Sequence, residues 1–210
     1  ETDGAVAFTI DFADLANNAG ATVSATTDLS SVTYDETAPI LTEVIPVSTP
    51  TNNNTPAYTF NSDEAGSIAY AGGCSALTTS AAAADNLVEF GTLADATYAA
   101  CTVIVTDAAG NPSLPLSITS FTVDTALPTL NPVSIASNNA DPTLAKVGDI
   151  ITVSFTASEA LIALPTATIA GQVASVTDLG ANAYTATYTM TAGETDGAVA
   201  FTIDFADLAN

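Results

Sequence analysis

The 210-residue chain has one basic side chain, Lys146, and neither histidine nor tryptophan. Nucleic acid and anionic membranes need Lys/Arg patches, so both are excluded as partners. The usual general bases, oxyanion donors and sugar-stacking platforms are missing as well, and no enzyme is expected. The neighbouring acids Asp11 and Asp14, and Asp63 and Glu64, are therefore read as surface or metal-binding groups rather than a glycosidase pair. Charged residues make up only 11% of the chain, well under the usual quarter. Thr, Ser, Asn and Ala must then cover much of its surface. No apolar run approaches the ~20 residues that span a bilayer, so membrane insertion is not expected. No cleavable secretion signal is read either, as expected of a window from the middle of a longer protein.

What is present leans one way. Asp and Glu number 23, for a formal net charge of −22. Cations are the natural counterpart, and self-repulsion of this size keeps a long fibre soluble. Apolar residues at 48% supply enough material for real cores, which argues against wholesale disorder. Two cysteines, Cys74 and Cys101, flank a segment of strand-like alternation. They are expected to form a disulfide in an oxidising compartment, the alternative being two buried thiols.

The stretch ETDGAVAFTIDFADLAN occurs twice without a substitution, at Glu1–Asn17 and at Glu194–Asn210. Seventeen identical positions do not recur by chance. They set a period of 193 residues, and a fixed period marks arrays of linked units.

Period-2 alternation runs through the chain. AFTIDFA places Phe8, Ile10 and Phe12 on one face, CTVIVT does the same with Cys101, Val103 and Val105, and YTATYTM alternates Tyr184, Ala186, Tyr188 and Met190 with threonine. Clusters of Gly, Asn, Asp and Pro bound these runs, so the expectation is all-β. The four alanines of SAAAADNLVEF favour helix, and that segment is read as loop or a short helical turn. The tyrosines Tyr58, Tyr70, Tyr184 and Tyr188 are read as strand-face packing rather than a ligand strip. Asn53 fits a glycosylation sequon, and Lys146 is assigned to an edge or turn.

A fainter repeat lies inside the period. TFNSDEA parallels SFTASEA, TDAAGN parallels ADLANN, and VDTALP parallels YDETAP. In the second pair Gly110 matches Asn17, the residue types that best tolerate a left-handed turn. Asp35 and Asp124 are 89 residues apart, and 104 more lead to the next copy of Asp35. Both lengths suit a seven-stranded sandwich. Expected domains are residues 1–35, the last two strands of a sandwich completed by a preceding unit; 36–124, a complete sandwich carrying the Cys74–Cys101 bridge; and 125–210, a sandwich lacking its last strand.

SDEAGSIAYAGGC, YAACTVIVTDAAGN and FTVDTALP, with KVGDIITVSFTASEA and DGAVAFTIDFADLANNAG, resemble the bacterial immunoglobulin-like repeats of giant surface adhesins and secreted repeat proteins. VTDAAGNPSLPLS is similar to the Ala-x-Asp-x-Gly-x-Pro run of cadherin repeats. The resemblance covers essentially the whole chain and implies tandem immunoglobulin-like β-sandwiches in a repeat array. In that topology Glu64 and Asp107 lie near the linker acids Asp35 and Glu36, and Glu159 and Asp207 near Asp124. Such junctions imply Ca²⁺, held by carboxylates, carbonyls and water; turn-capping acids are the plainer alternative.

The expected role is a structural repeat of an extracellular or cell-surface filament or adhesin stalk, partnered by identical neighbouring repeats or subunits. Two alternatives stand beside it. One is a non-covalent polymer in which residues 18–35 complete a neighbour's sandwich by strand addition. The other is a module whose Thr-rich faces bind a glycan, a host surface or ice.

Overall fold

The structure, a computed structural model, describes residues 3–209. It is all-β, with antiparallel sheets and no helix among the described residues. The chain divides into two compact units. One comprises Glu1–Val47, Ala57–Gly91 and Tyr98–Ser120; the other comprises Ser48–Pro56, Thr92–Thr97 and Phe121–Asn210.

The first unit opens on a ribbon in which β1 (Gly4–Ala5) pairs with β2 (Thr33–Tyr34). Isolated bridges join Ile10 to Val23 and Ala13 to Ala19. One sheet of the unit has the order β3 (Leu41–Ile45), β4 (Ala57–Ser62), β7 (Asp85–Glu89), with β4 central. The other runs β10 (Leu116–Ser117), β9 (Thr102–Thr106), β5 (Gly66–Ala71), β6 (Ser80–Ala81). The alternation read in CTVIVT holds: Val103 and Val105 of β9 are fully buried while Thr102, Ile104 and Thr106 are partly exposed. On β4, Tyr58 stacks on Phe60 at 6.0 Å and on Phe90 at 5.1 Å between ring centroids. Burial holds the Tyr58 phenol far above its ordinary pKa. Its hydroxyl has no hydrogen-bond partner among the described residues.

The alanine-rich segment forms β6, a turn and β7 rather than a helical turn. The cause is a side chain: the Asn86 carboxamide accepts from the Ala82 N–H at 2.8 Å and donates to the carbonyls of Ala82 and Ala84. A polar clamp of this kind offers the backbone a turn in place of helix, and Ala81 is buried as β6 ends. Gly72, after β5, has φ 77°, and a Cβ there would collide with the Ala100 carbonyl oxygen.

The second unit has the architecture of a β-sandwich. Its larger sheet runs β12 (Leu130–Ser137), β13 (Ile150–Ala157), β17 (Ala183–Thr189), β16 (Ser175–Gly180). The smaller runs β15 (Gln172–Val173), β14 (Thr166–Ile169), β18 (Phe201–Asp204). Ile151, Val153, Phe155, Tyr184 and Ala186 from the larger sheet share one core with Ala167 and Ile169 from the smaller. Lys146 precedes β13 in the turn closed by the Asp149 N–H bonded to its carbonyl. A short pairing of β8 (Ala96–Tyr98) with β11 (Phe121–Val123) completes the strands.

The four tyrosines do not line a common strip. Tyr58 and Tyr184 are core, the Tyr70 hydroxyl donates to the Thr78 carbonyl at 2.7 Å, and the Tyr188 hydroxyl donates to Glu194 at 2.7 Å. Partial burial pushes the Tyr70 phenol up to about 12.

Candidate metal centre

Asp35 follows β2, Glu64 lies in the turn between β4 and β5, and Asp107 directly follows β9. Carboxylate oxygens of these three lie within 4.8 Å of one another, in the first unit. The loop after β9 holds Asp107 in place. Its Oδ1 accepts the N–H groups of Gly110 at 2.7 Å and Asn111 at 2.8 Å, and its Oδ2 accepts the Asn111 carboxamide at 2.9 Å. Gly110 makes this turn with φ 99°. The Asn111 amide also donates to the Asp35 carbonyl at 3.1 Å, tying the segment after β2 to the loop after β9.

The equivalent turn in the ribbon has the same design, as the Gly110/Asn17 match implies. Asn17 has φ 68°, and Asp14 accepts the Asn18 N–H and the Asn18 carboxamide, both at 2.9 Å. Asn111 is the residue that sequence reasoning passed over. Its signal was there in the Asp-x-x-x-Asn spacing that Asp107 shares with Asp14.

Glu36 does not join the cluster. Its carboxylate accepts the Tyr34 hydroxyl at 2.5 Å, since successive residues of an extended chain point to opposite sides. Asp63 serves the strand start: its carboxylate accepts the Ile40 N–H at 2.7 Å. Asp11 accepts the Thr22 hydroxyl across the ribbon at 2.5 Å.

The second unit assembles the parallel set more loosely. Asp124 follows β11, and its N–H donates to the Thr51 carbonyl at 3.0 Å. Asp207 is only 3% exposed and caps the Ala209 N–H at 2.9 Å. Glu159 is pushed up by burial, then by the charges of Asp124 and Asp207 and a hydrogen bond shared with Asp124. Among the described residues, only Asp35, Glu64 and Asp107 meet the 4.8 Å spacing.

Electrostatics separate the acids of the first set. Burial raises the Glu64 carboxyl, reinforced by Asp35, Asp107, Asp63 and Asp3. Burial works against the Asp107 carboxylate too, but the Asn111 backbone and side chain and the Gly110 N–H hold it below the ordinary value. The only basic side chain of the protein, Lys146, belongs to the other unit. Three carboxylates with no neutralising cation among the side chains fit the oxygen-donor chemistry of a hard divalent ion.

The signs of these shifts differ. The raised Glu64 favours the fold below its ordinary 4.5 and loses that contribution as pH rises through its folded value; the lowered Asp107 favours the fold above 3.8 and loses it on acidification. Glu64→Gln is therefore expected to raise the melting temperature of the metal-free chain at pH 7, with no gain below the glutamate range. Scanning calorimetry across pH reads this, and an unchanged or lower melting point at pH 7 contradicts the repulsion.

The chain matches no protein-family model, and a search of the curated proteins found no match. No helix among the described residues is long and apolar enough to cross a membrane.

Proposed function

We propose that the chain is a structural repeat unit of an extracellular filament or adhesin stalk, built from tandem immunoglobulin-like sandwiches with module boundaries near residues 35 and 124. Its work is to hold length and stiffness. The observation that carries this reading is the seventeen-residue sequence, repeated 193 residues apart and found in two settings. In residues 3–17 it lies on a bare ribbon with Ile10 53% and Phe12 56% exposed; at residues 201–204 the same sequence is a strand of a sandwich.

A two-stranded ribbon alone is marginal in water. An apolar stripe of Val6, Phe8, Ile10 and Phe12 on such a ribbon calls for a sandwich body like the one β18 belongs to. Repetition supplies that body, one copy after another. The disulfide and the acidic, hydroxyl-rich surface suit an oxidising, extracellular setting. Ca²⁺ held by Asp35, Glu64 and Asp107 would stiffen the chain after β2, because one ion would bind the segment to two loops of the sandwich.

Native material viewed by electron microscopy, with and without excess EDTA, and sized by denaturing electrophoresis, tests the reading. Particles far longer than one chain are expected, running as a very large covalent species and becoming more flexible and less heat-stable in chelator. A compact particle the size of one 210-residue chain removes the filament. Unchanged stiffness and melting in EDTA remove calcium.

A further inference from the structure

The two copies of the repeated sequence use opposite edges of the same strand. In residues 3–17, the Val6 N–H donates to the Val32 carbonyl at 2.8 Å. Ile10 and Val23 exchange both of their backbone bonds, at 2.8 and 3.0 Å, and the Phe12 carbonyl accepts the Gly20 N–H at 2.8 Å. These are even-numbered positions, matching Val199, Ile203 and Phe205 of the second copy. In that second copy the bonds fall on the other set. The Ala200 carbonyl accepts the Ala170 N–H at 2.9 Å, the Ala206 carbonyl accepts the Ile162 N–H at 3.0 Å, and Thr202 stands opposite Thr168.

Alternate residues of an antiparallel strand present their backbone groups to opposite neighbours. The two patterns are thus complementary, and one strand of this sequence satisfies both at once. Gly4 and Gly197 share φ 138°, so the chain enters the strand in the same conformation in each copy. Among the described residues β18 is the last strand of its sheet, with β14 on one side only.

We propose that the outer edge of β18 is a docking site for residues 19–34 of a second copy of this chain, released from its own ribbon and added in two antiparallel stretches, with Val23 opposite Ile203, Val32 opposite Val199, and residues 24–31 looping out between them as they do in the ribbon. The inference rests on the array reading in naming a second copy as the source. The occupant is identified by the ribbon itself, where this segment already pairs with the same sequence.

Side chains agree with the register. Residues directly opposite share a face, so Val23 falls on the side of Ile203, which packs with Val199 against the core of the second unit. Thr22 falls opposite the outward acid side, as its bond to Asp11 shows in the ribbon. A groove of about 960 Å³, lined by apolar Leu144, Val147, Met190 and Val199 together with polar Lys146 and Glu194, opens beside the Val199 end of this edge. Val32, 70% exposed in the ribbon, is brought to that end.

The test is hydrogen exchange by NMR on the labelled 210-residue chain, with an unlabelled peptide of residues 18–35. Saturating peptide is expected to slow exchange of the Val199 and Ile203 amides, the counterparts of the donating Val6 and Ile10 N–H groups, about tenfold or more. A Val23→Pro peptide, which cannot donate to the Ile203 carbonyl, is expected to lose that protection. Residues 19–34 of the intact chain already bond residues 4–13 through the same edge, so the free peptide, which has no ribbon of its own, is the competent donor in this test. No slowing at saturating peptide, or equal slowing by the Val23→Pro peptide, overturns the proposal. A compact native particle would remove the filament reading and leave protection at this edge standing; an extended particle without protection would remove this inference alone.

Discussion

Phe155→Ala is expected to destabilise the second unit by about 3 to 5 kcal/mol, the cost of emptying an aromatic site in a packed core. Phe155 lies in β13, the strand flanked by both β12 and β17, opposite Val133 on one side and Tyr184 on the other. It is 2% exposed and its ring centroid is 5.6 Å from that of Tyr184. Both sheets of the sandwich contribute to the cluster around it, so neither can move inward without disturbing the other. A void lined by Val, Ile and aromatic carbon offers water no partners and stays dry. Thr156, next along the strand with its side chain on the other face, serves as the control: Thr156→Ala is expected to fall within about 0.5 kcal/mol of the parent. Urea unfolding of both variants measures the pair. A loss under about 1 kcal/mol for Phe155→Ala would mean that the two sheets do not depend on this ring.

How much of this was legible beforehand varies with the range of the interaction that decides it. Val103 and Val105 could be assigned to a core because alternation is a local signal, and strand burial follows it residue by residue. The alanine run misled because helix propensity is a weak prior, overridden by one local contact, the Asn86 clamp, and one long-range contact, the pairing of β7 with β4. The repeated seventeen residues show the limit most plainly. Their sequence specifies a strand with an apolar face, but Ile10 lies exposed in one copy while Ile203 packs against a core in the other. What differs is the partner, which no local pattern contains.

The acidic site was legible in the same partial way. Loop position was enough to place Asp35, Glu64 and Asp107 together, because the turn after β4 and the loop after β9 are fixed by strand order. Strand order does not say which way an individual side chain points. Glu36, one residue from Asp35, is turned to Tyr34, and Asn111 reaches the Asp35 carbonyl from a turn whose φ 99° at Gly110 brings it back over Asp107. In the second unit the same reasoning applies to Asp124, Glu159 and Asp207.

Reduction of Cys74–Cys101 is expected to cost the first unit about 3 to 4 kcal/mol, from the chain entropy released when a loop of this length opens in the unfolded state. The bridged residues are 27 apart in sequence. Between them run β6, β7 and β8, so in the unfolded chain the bridge restrains a long and otherwise flexible segment. In the folded chain it holds little that the sheet does not already hold. Cys74 follows β5 and Cys101 precedes β9, and β5 and β9 pair directly, with Ala71 opposite Thr102. Both cysteines are buried, so the Cys74→Ala, Cys101→Ala chain adds only a small packing loss to the entropic one. The two effects separate by experiment. Reduced parent and double-alanine chain should both unfold at lower urea than the oxidised parent, and by similar amounts, while the β5–β9 amides keep their protection below the transition. A cost under about 1 kcal/mol would place the contribution of the bridge outside the unfolded state, whereas loss of β5–β9 protection on reduction would mean that the pairing depends on the covalent link.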